Sequence, residues 1–267
     1  MSPSVSDRNP TRTRALQSLV IDLGRRDYEE RYPDAALPPV VVLICAYEEE
    51  ANLPAVLEQV PSKACGLRVA PLVVIDGGED GTARVAKELG ARTFVLPVNL
   101  GHGVALRVGY QLCLEGGAEY VLTLDADGQN DPAEIESMLA PLVDDAADFV
   151  LASRRLGVDR TADRYRRAGV VFFSMLVNLL MGTRLTDTSN GYRALRATML
   201  SDVAPHLEQD QYQTADLLIT SICRGWRVLE RPTVWHERLS GNSKKGGNLI
   251  YGLRYATVVL QTWRRER

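Results

Sequence analysis

The sequence predicts an α/β protein with a mainly parallel central sheet and helices on both of its faces. Short apolar segments rich in Val, Ile and Leu alternate along the chain with longer segments of helical character. This alternation is typical of parallel sheets, because a parallel connection has to cross the sheet. The 267 residues, of which 45% are hydrophobic, suffice for one large core.

We divide the chain into three parts. Residues 1–38 form an N-terminal extension with a short amphipathic helix near 13–22. Residues 39–247 form the α/β domain, and 248–267 form an amphipathic helix that packs on this domain or on a membrane surface. Within the domain we predict strands at 40–45, 72–75, 92–96, 120–124 and 149–151, and helices that begin between 50 and 53 and cover 83–90 and 103–115.

Acidic residues follow three of these strands, in Tyr47-Glu48-Glu49, Asp76-Gly77-Gly78 and Asp125-Ala126-Asp127. The carboxyl ends of parallel strands meet at one edge of a sheet, where ligands bind, so we expect these three tips to be neighbours. Like charges repel unless a cation or a hydrogen-bond donor lies among them. A ligand site therefore explains the acidic tips better than a role in folding does.

The segment LTLDADGQNDP, residues 122–132, points to a metal. Asp125 and Asp127 are one residue apart, and the amide of Gln129 follows them. Oxygen ligands of this kind suit Mg²⁺ or Mn²⁺, which also hold phosphate oxygens. The alternative is a solvated turn that caps the next helix through Asp131 or Asn130.

Composition and charge argue against several classes of protein. A net charge of -3 gives no basic field, so we expect no nucleic acid as a main partner. The four cysteines are widely spaced, which favours reduced thiols in a cytoplasmic protein. The polar N-terminus lacks a signal-peptide core, and no segment reaches the roughly 20 apolar residues of a spanning helix. The apolar run 169–182 is either a buried helix or an interfacial membrane helix.

Several motifs in a fixed order carry a family resemblance. They are CAYEEEANL (45–53), VIDGGEDGT (74–82), NLGHGVALRVGY (99–110), LDADGQNDP (124–132), ASRR (152–155), DTSNGYRALR (187–196) and RLSGNSKKG (238–246). Together they resemble a family 2 glycosyltransferase of the GT-A (nucleotide-diphosphosugar transferase) fold, in the dolichol- or polyprenyl-phosphate mannose synthase-like branch. The likeness covers about 40–245. Departures at Cys45, Glu48, Ile75, Gly78 and His102 fall in the nucleotide pocket, so they leave base and sugar preference open.

The resemblance implies roles for individual residues. Asp125, Asp127 and Gln129 would hold Mg²⁺ or Mn²⁺. The nucleotide-binding residues implied are Ala46, Tyr47, Glu49, Asp76, Gly101, His102, Asp125 and Ala126. Those implied for the acceptor phosphate or the diphosphate are Arg154, Arg193, Arg238, Ser243 and Lys244, the last three in a segment that closes over the diphosphate. Asp127, Arg154 and Asp216 are the catalytic candidates.

The activity implied is inverting, metal-dependent transfer of a hexosyl or N-acetylhexosaminyl group from a nucleotide-diphosphate sugar to a polyprenyl phosphate. A phosphate acceptor needs no base, whereas a hydroxyl acceptor would need Asp216 as one. The alternatives are a soluble hydroxyl acceptor with the same donor chemistry, or a noncatalytic nucleotide-sugar-binding subunit. We expect a cytoplasmic protein that reaches the inner face of the cell membrane by peripheral contact or through a separate membrane subunit.

Overall fold

The structure is a computed structural model, and it describes residues 10–161, 164–240 and 248–267. The strands are β1 (Val40–Ala46), β2 (Lys63–Ala64), β3 (Leu67–Asp76), β4 (Arg92–Leu96), β5 (Tyr120–Asp125), β6 (Phe149–Asp159), β7 (Arg193–Arg196) and β8 (Val228–Trp235). The helices are α1 (Pro10–Arg31), α2 (Leu53–Leu57), α3 (Thr82–Glu88), α4 (His102–Glu115), α5 (Ile135–Val143), α6 (Arg164–Met181), α7 (Ala197–Val203), α8 (Gln213–Cys223) and α9 (Asn248–Arg265). Short 3-10 turns lie at Pro132–Glu134 and Ala204–His206.

The central sheet has the strand order β4-β3-β1-β5-β7-β6-β8, with β2 on the outer part of β3. The strands from β4 to β5 are parallel, and so are β6 and β8. Strand β7 runs antiparallel to both of its neighbours. The α/β class is thus confirmed, and the description of the sheet as mainly parallel is approximate because of β7.

The inner strands are buried on both faces. In β1, Leu43 belongs to the hydrophobic cluster on one side of the sheet, and its neighbours Val42 and Ile44 belong to the cluster on the other side. Helices cover both faces, which is why these strands read as continuous apolar runs in the sequence. The predicted boundaries agree with β4 and come within one residue of β1 and β5.

The two terminal helices pack on the domain. Helix α1 continues to Arg31, beyond the predicted 13–22, and the Tyr28 ring lies 5.8 Å from that of Phe94 in β4. Helix α9 buries Tyr255 and Val259 in the core cluster that includes α8. The three-part division of the chain stays a prediction.

Helix α6 buries one side and exposes the other. Val170, Phe173 and Val177 are buried, whereas Phe172, Met175 and Leu179 are 59%, 66% and 81% exposed. Across the described parts of the chain, no helix combines the length and the apolar character that crossing a membrane requires.

Candidate active site

The three acidic strand tips come together at one edge of the sheet. Cys45 of β1 pairs in register with Asp125 of β5, and an ideal Cβ on Gly78 would lie 3.3 Å from Glu48 Cγ. The backbone N–H of Glu49 donates to Thr82 Oγ1 at 2.9 Å, which joins the first tip to the start of α3. Ala46 and Ala126 are buried beneath these tips, and Tyr47 is half-buried.

Asp76 holds the turn that precedes α4. Its carboxylate accepts the backbone N–H groups of Leu100 at 2.7 Å and Gly101 at 2.9 Å. Burial raises the pKa of Asp76, against these two bonds and the charge of His102, which lower it. Gly101 has a φ of 102°, a conformation that favours glycine, and His102 is exposed at the first position of α4. The predicted nucleotide residues Asp76, Gly101 and His102 therefore form one local structure.

The predicted metal ligands lie at the end of β5. Asp127 is buried, and its Oδ1 accepts the backbone N–H of Gln129 at 3.1 Å. The Gln129 side-chain amide donates to the carbonyl of His236 at 3.2 Å, so it faces the chain that leaves β8. The backbone N–H of Asp125 donates to Asn130 Oδ1 at 3.2 Å, and its carboxylate lies 3.4 Å from an ideal Cβ on Gly191.

The capping alternative describes Asp131. Its Oδ1 accepts the backbone N–H of Ala133 at 2.9 Å and caps the 3-10 turn Pro132–Glu134. Capping thus accounts for Asp131 but gives no role to the carboxylates of Asp125 and Asp127.

Arg238 joins two of the acidic tips. Its Nη1 donates to Asp127 Oδ2 at 3.2 Å, and its Nη2 donates to Glu49 Oε1. The next residues are tied to the loop after β1, since Ser240 Oγ donates to Asn52 Oδ1 at 2.6 Å. The chain after β8 therefore lies across the acidic edge of the sheet. Ser243 and Lys244 of the predicted closing segment lie outside the described residues.

The donor set fits a divalent cation that also binds phosphate. Within residues 10–161, 164–240 and 248–267, no group of three or more His, Cys, Asp or Glu side chains is arranged to hold a metal ion by itself. Asp125 and Asp127 supply two carboxylates at the tip of β5, and Mg²⁺ is commonly held by one or two carboxylates together with substrate phosphates. The residues thus suit a metal that arrives with a diphosphate.

Arg154 is held in a buried ion pair. Its Nε and Nη2 donate to the two carboxylate oxygens of Asp187 at 2.6 and 2.8 Å, and Nη2 also reaches Ser189 Oγ at 3.0 Å. The guanidinium lies 4.7 Å from the ring of Trp235. Burial lowers the pKa of Arg154, but the bonds and charge of Asp187 outweigh it and the net pKa is raised.

Arg193 is almost completely buried and bonds to backbone carbonyls of Asn190 at 2.8 Å, Thr214 at 2.6 Å and Thr188 at 3.3 Å. Burial lowers its pKa. Arg193 thereby fixes the 188–191 loop, whose Gly191 lies against Asp125. Its predicted contact with a ligand phosphate stays a prediction.

Asp216 lies within the fold, in the first turn of α8. Its carboxylate is fully buried and accepts backbone N–H groups from Glu208 and Gln209 at 2.9 and 3.1 Å. The other oxygen accepts Thr262 Oγ1 at 3.1 Å and Arg265 Nη2 at 2.8 Å, both from α9. The catalytic role predicted for Asp216 stays a prediction, and its partners are those of a structural anchor.

The site uses further residues that the sequence did not single out. They are Asn52, which holds Ser240, and Asp187, which pairs with Arg154. Both lie in motifs that the sequence shows, but a motif does not tell which of its polar residues turn inward. The only sequence signal for Asp187 is its place in the motif DTSNGYRALR, at 187–196, which follows the motif that contains Arg154.

The fold and the acidic edge together define the class of protein. Glucosyl-3-phosphoglycerate synthase from Mycobacterium tuberculosis, in complex with Mn²⁺, UDP and glucosyl-3-phosphoglycerate, superposes with a TM-score of 0.65 at 18% identity over 90% of this chain and 82% of that chain. The same enzyme in complex with Mg²⁺ and UDP gives a TM-score of 0.65 at 19% identity, over 90% and 83% of the two chains. The fold is therefore GT-A, as expected.

Sequence comparison specifies the family. The family model described as glycosyl transferase family 2 matches residues 41–204. A dolichyl-phosphate hexose transferase of Haloferax volcanii is 31% identical over 205 residues, 77% of this chain and 86% of the relative. A polyprenol monophosphomannose synthase of Mycolicibacterium smegmatis is 32% identical over 231 residues, 79% and 82% of the two chains. The chain belongs to glycosyl transferase family 2, and the resemblance drawn from its motifs is confirmed.

Proposed function

We propose that this protein is an inverting glycosyltransferase that moves a hexose from a nucleotide-diphosphate sugar to a polyprenyl phosphate, with Mg²⁺ or Mn²⁺. The observation that carries the proposal is the pair of carboxylates, Asp125 and Asp127, at the tip of β5, on the same edge of the sheet as Asp76 at the tip of β3 and separated from it by β1. This is the edge where α/β sheets bind ligands.

The donor would lie across the three tips. A bound divalent cation on Asp125 and Asp127 would neutralise charge on the departing diphosphate. Asp76 keeps the turn at Leu100 and Gly101 in place for the nucleotide. Arg238 already reaches Asp127, so it stands where its guanidinium could donate to a phosphate oxygen.

Two lines of reasoning support a phosphate acceptor. The relatives from Haloferax and Mycolicibacterium are named for dolichyl phosphate and for polyprenol. A third relative, from Micrococcus luteus, is named undecaprenyl-phosphate mannosyltransferase, and it is 28% identical over 79% of this chain and 89% of the relative. In addition, Asp216, the base that a hydroxyl acceptor would need, is fully buried and accepts bonds from four donors. A phosphate is already anionic and can attack without a base, so positioning and charge suffice.

Arg154 is our candidate for binding the acceptor phosphate. Its Nε and Nη2 are directed to Asp187 and Ser189, which fixes the plane of the guanidinium, and in this proposal Nη1 would donate to the phosphate. Attack on the anomeric carbon from the side opposite the diphosphate is a single displacement, and it inverts the configuration.

The exposed face of α6 would bring the enzyme to the membrane that holds such a lipid. Phe172, Met175 and Leu179 follow one another at spacings of three and four residues, on one side of the helix. Arg167, five residues before Phe172, is also exposed, and its guanidinium pairs with Asp159. Apolar side chains flanked by basic ones are typical of helices that lie in the membrane interface. We therefore place the protein at the cytoplasmic face of a membrane by peripheral contact.

The test is a transfer assay with the purified chain. UDP- and GDP-hexoses and a short-chain polyprenyl phosphate are incubated with Mn²⁺, with EDTA, and with EDTA followed by excess Mn²⁺. We expect a lipid-linked sugar of inverted anomeric configuration by NMR, together with free nucleoside diphosphate, lost with EDTA and restored by Mn²⁺. Transfer only to hydroxyl acceptors, or nucleotide binding without turnover under any metal, would contradict the proposal.

A further inference from the structure

We propose that Asp216 and Arg265 are positioning residues for the nucleotide, which act through residues 208–210. This segment connects the end of α9 to the Gly101–His102–Gly103 turn. The inference rests on the proposed function, in which that turn binds the nucleotide. It assigns to the C-terminal helix a part in donor affinity.

The first link joins α9 to Asp216. Thr262 and Arg265 both donate to Asp216 Oδ1, at 3.1 and 2.8 Å. The same Arg265 Nη2 donates to Thr220 Oγ1 at 3.0 Å, one turn further along α8. Arg265 is thus bonded to two residues of α8, the acidic Asp216 and the neutral Thr220.

The second link joins Asp216 to the 208–210 segment. Its Oδ2 accepts the consecutive N–H groups of Glu208 and Gln209, at 2.9 and 3.1 Å. The Asp216 carboxylate is fully buried, and the four donors together satisfy its hydrogen-bonding capacity. The backbone just before α8 is therefore held by one side chain, whose charge is balanced from α9.

The third link joins this segment to the turn. The N–H of Gly103 donates to the carbonyl of Asp210 at 3.0 Å. Arg107, one turn into α4, donates to Gln209 O at 2.6 Å and to Asp210 Oδ1 at 2.5 Å. An ideal Cβ on Gly103 would lie 2.6 Å from the Asp210 carbonyl, so the two backbones are in close contact.

The turn is consequently held from two sides. Asp76 bonds to Leu100 and Gly101 from the sheet, and residues 209–210 hold Gly103 and Arg107 from the side of α8. Removing a partner of a buried charge leaves that charge uncompensated. We expect the backbone at 208–210 to shift in response. Such a shift would release one side of the turn, and binding would then have to order it again.

The experiment measures nucleotide affinity apart from stability. UDP and GDP are titrated with Mn²⁺ by calorimetry into the wild-type chain and into Arg265→Ala, Asp216→Asn and the double variant, well below each Tm. Arg264→Ala is the matched control, since it removes the exposed neighbouring arginine from the same helix. We expect Kd to rise about three- to thirtyfold in Arg265→Ala and Asp216→Asn. The Kd of the double variant should not exceed that of the single variant with the higher Kd, because the two residues act as one unit.

A purely structural role would lower Tm and leave Kd unchanged, and that result in Arg265→Ala would overturn the inference. A loss of affinity in Arg264→Ala as large as in Arg265→Ala would also overturn it. If Arg265→Ala is unfolded at the assay temperature, Arg265→Gln, which keeps most of the side-chain length and removes the charge, is measured instead, with the same two outcomes. Failure of the wild-type chain to bind either nucleotide would count against the proposed function, and so would be distinguished from failure of the positioning role.

Steady-state kinetics supply a second readout. Because the proposed function places the turn against the donor and not the acceptor, we expect the donor KM to rise in Arg265→Ala while kcat and the acceptor KM change less. A fall in kcat alone would contradict a positioning role for the nucleotide.

Discussion

Arg238 Nη1 donates to Asp127 Oδ2 at 3.2 Å, so a side-chain cation lies on the carboxylate that we assign to the metal. The same guanidinium also pairs with Glu49. Two of the three acidic tips thus share one cation supplied by the chain itself, which agrees with the rule that clustered like charges need a cation among them.

Replacement of Arg238 should separate metal binding from transfer. In Arg238→Ala we expect tighter Mn²⁺ binding without nucleotide, because a competing cation is gone, and slower transfer, because a phosphate donor is gone. Mn²⁺ titration followed by electron paramagnetic resonance measures the first effect. Arg231→Ala, which removes an exposed arginine of β8, is the control. Weaker Mn²⁺ binding in Arg238→Ala would contradict this interpretation.

The Arg154–Asp187 pair should be costly to break. In Asp187→Ala we expect the free energy of unfolding to fall by about 3–5 kcal/mol, since a buried guanidinium loses its partner. The exposed Arg31–Asp27 pair gives the comparison, and Asp27→Ala should cost less than about 1 kcal/mol. Urea unfolding measures both changes, and equal costs would show that the Arg154 pair contributes no more than a surface pair.

A methyl group on Gly103 should disturb the turn. Its Cβ would meet the carbonyls of Gln209 and Asp210, so Gly103→Ala should destabilise the fold by about 1–3 kcal/mol and weaken nucleotide binding. In α6, Gly169→Ala would place its Cβ 3.8 Å from Phe173, an ordinary contact, and should be neutral or stabilising. Thermal unfolding and calorimetry distinguish the two. Unchanged affinity in Gly103→Ala would contradict the close contact.

Asp76 should give a pH-dependent effect on stability. Because burial raises its pKa in the folded state, the folded protein holds the proton to higher pH than the unfolded chain. Its contribution to stability therefore falls as pH rises from about 4 through the raised pKa. Asp76→Asn lacks this titration, so its cost relative to wild type should be largest near pH 4 and smaller at pH 7. Urea unfolding at several pH values tests this, and a cost that grows with pH would contradict it.

The exposed face of α6 should govern lipid binding. We expect Phe172→Gln, Met175→Gln and Leu179→Gln together to reduce flotation with anionic vesicles and transfer to a long-chain acceptor in those vesicles. Transfer to a short, water-soluble acceptor should be unchanged.

The matched control for α6 replaces the exposed Leu16, Leu19 and Leu23 of α1 with Gln. It removes a similar amount of apolar surface elsewhere on the molecule. Equal loss of vesicle binding in both triple variants would show that α6 has no special role.

Local pattern was enough to predict much of the fold. The apolar strands β1, β4 and β5, and the acidic tips that follow β1, β3 and β5, were predicted from alternation and from residues that end strands. Strand β7 was missed because it has four residues and carries Arg193 and Arg196 at its ends, so it reads as part of a polar turn. Its direction depends on pairing with β5 and β6, which no local pattern records.

The sequence predicted which residues lie at the site better than it predicted the contacts that they make. Asp125 and Asp127 lie where the motif implied, at the end of β5. Asp216 was proposed because members of the family carry an acidic residue at this point, yet its environment depends on Arg265, which is distant along the chain. Partners across such separations are decided by the packing of whole helices, and a single sequence does not contain that information in local form.

The antiparallel course of β7 has a consequence for engineering. The chain continues past Leu151 to the end of β6 and returns to the sheet on the adjacent β7, where Arg193 lies opposite Leu151. The intervening stretch begins and ends at these two paired residues, so added length near Thr183 need not displace the strands. That bend between α6 and β7 is accordingly a suitable place to insert a fluorescent reporter or an affinity tag while the sheet keeps its register.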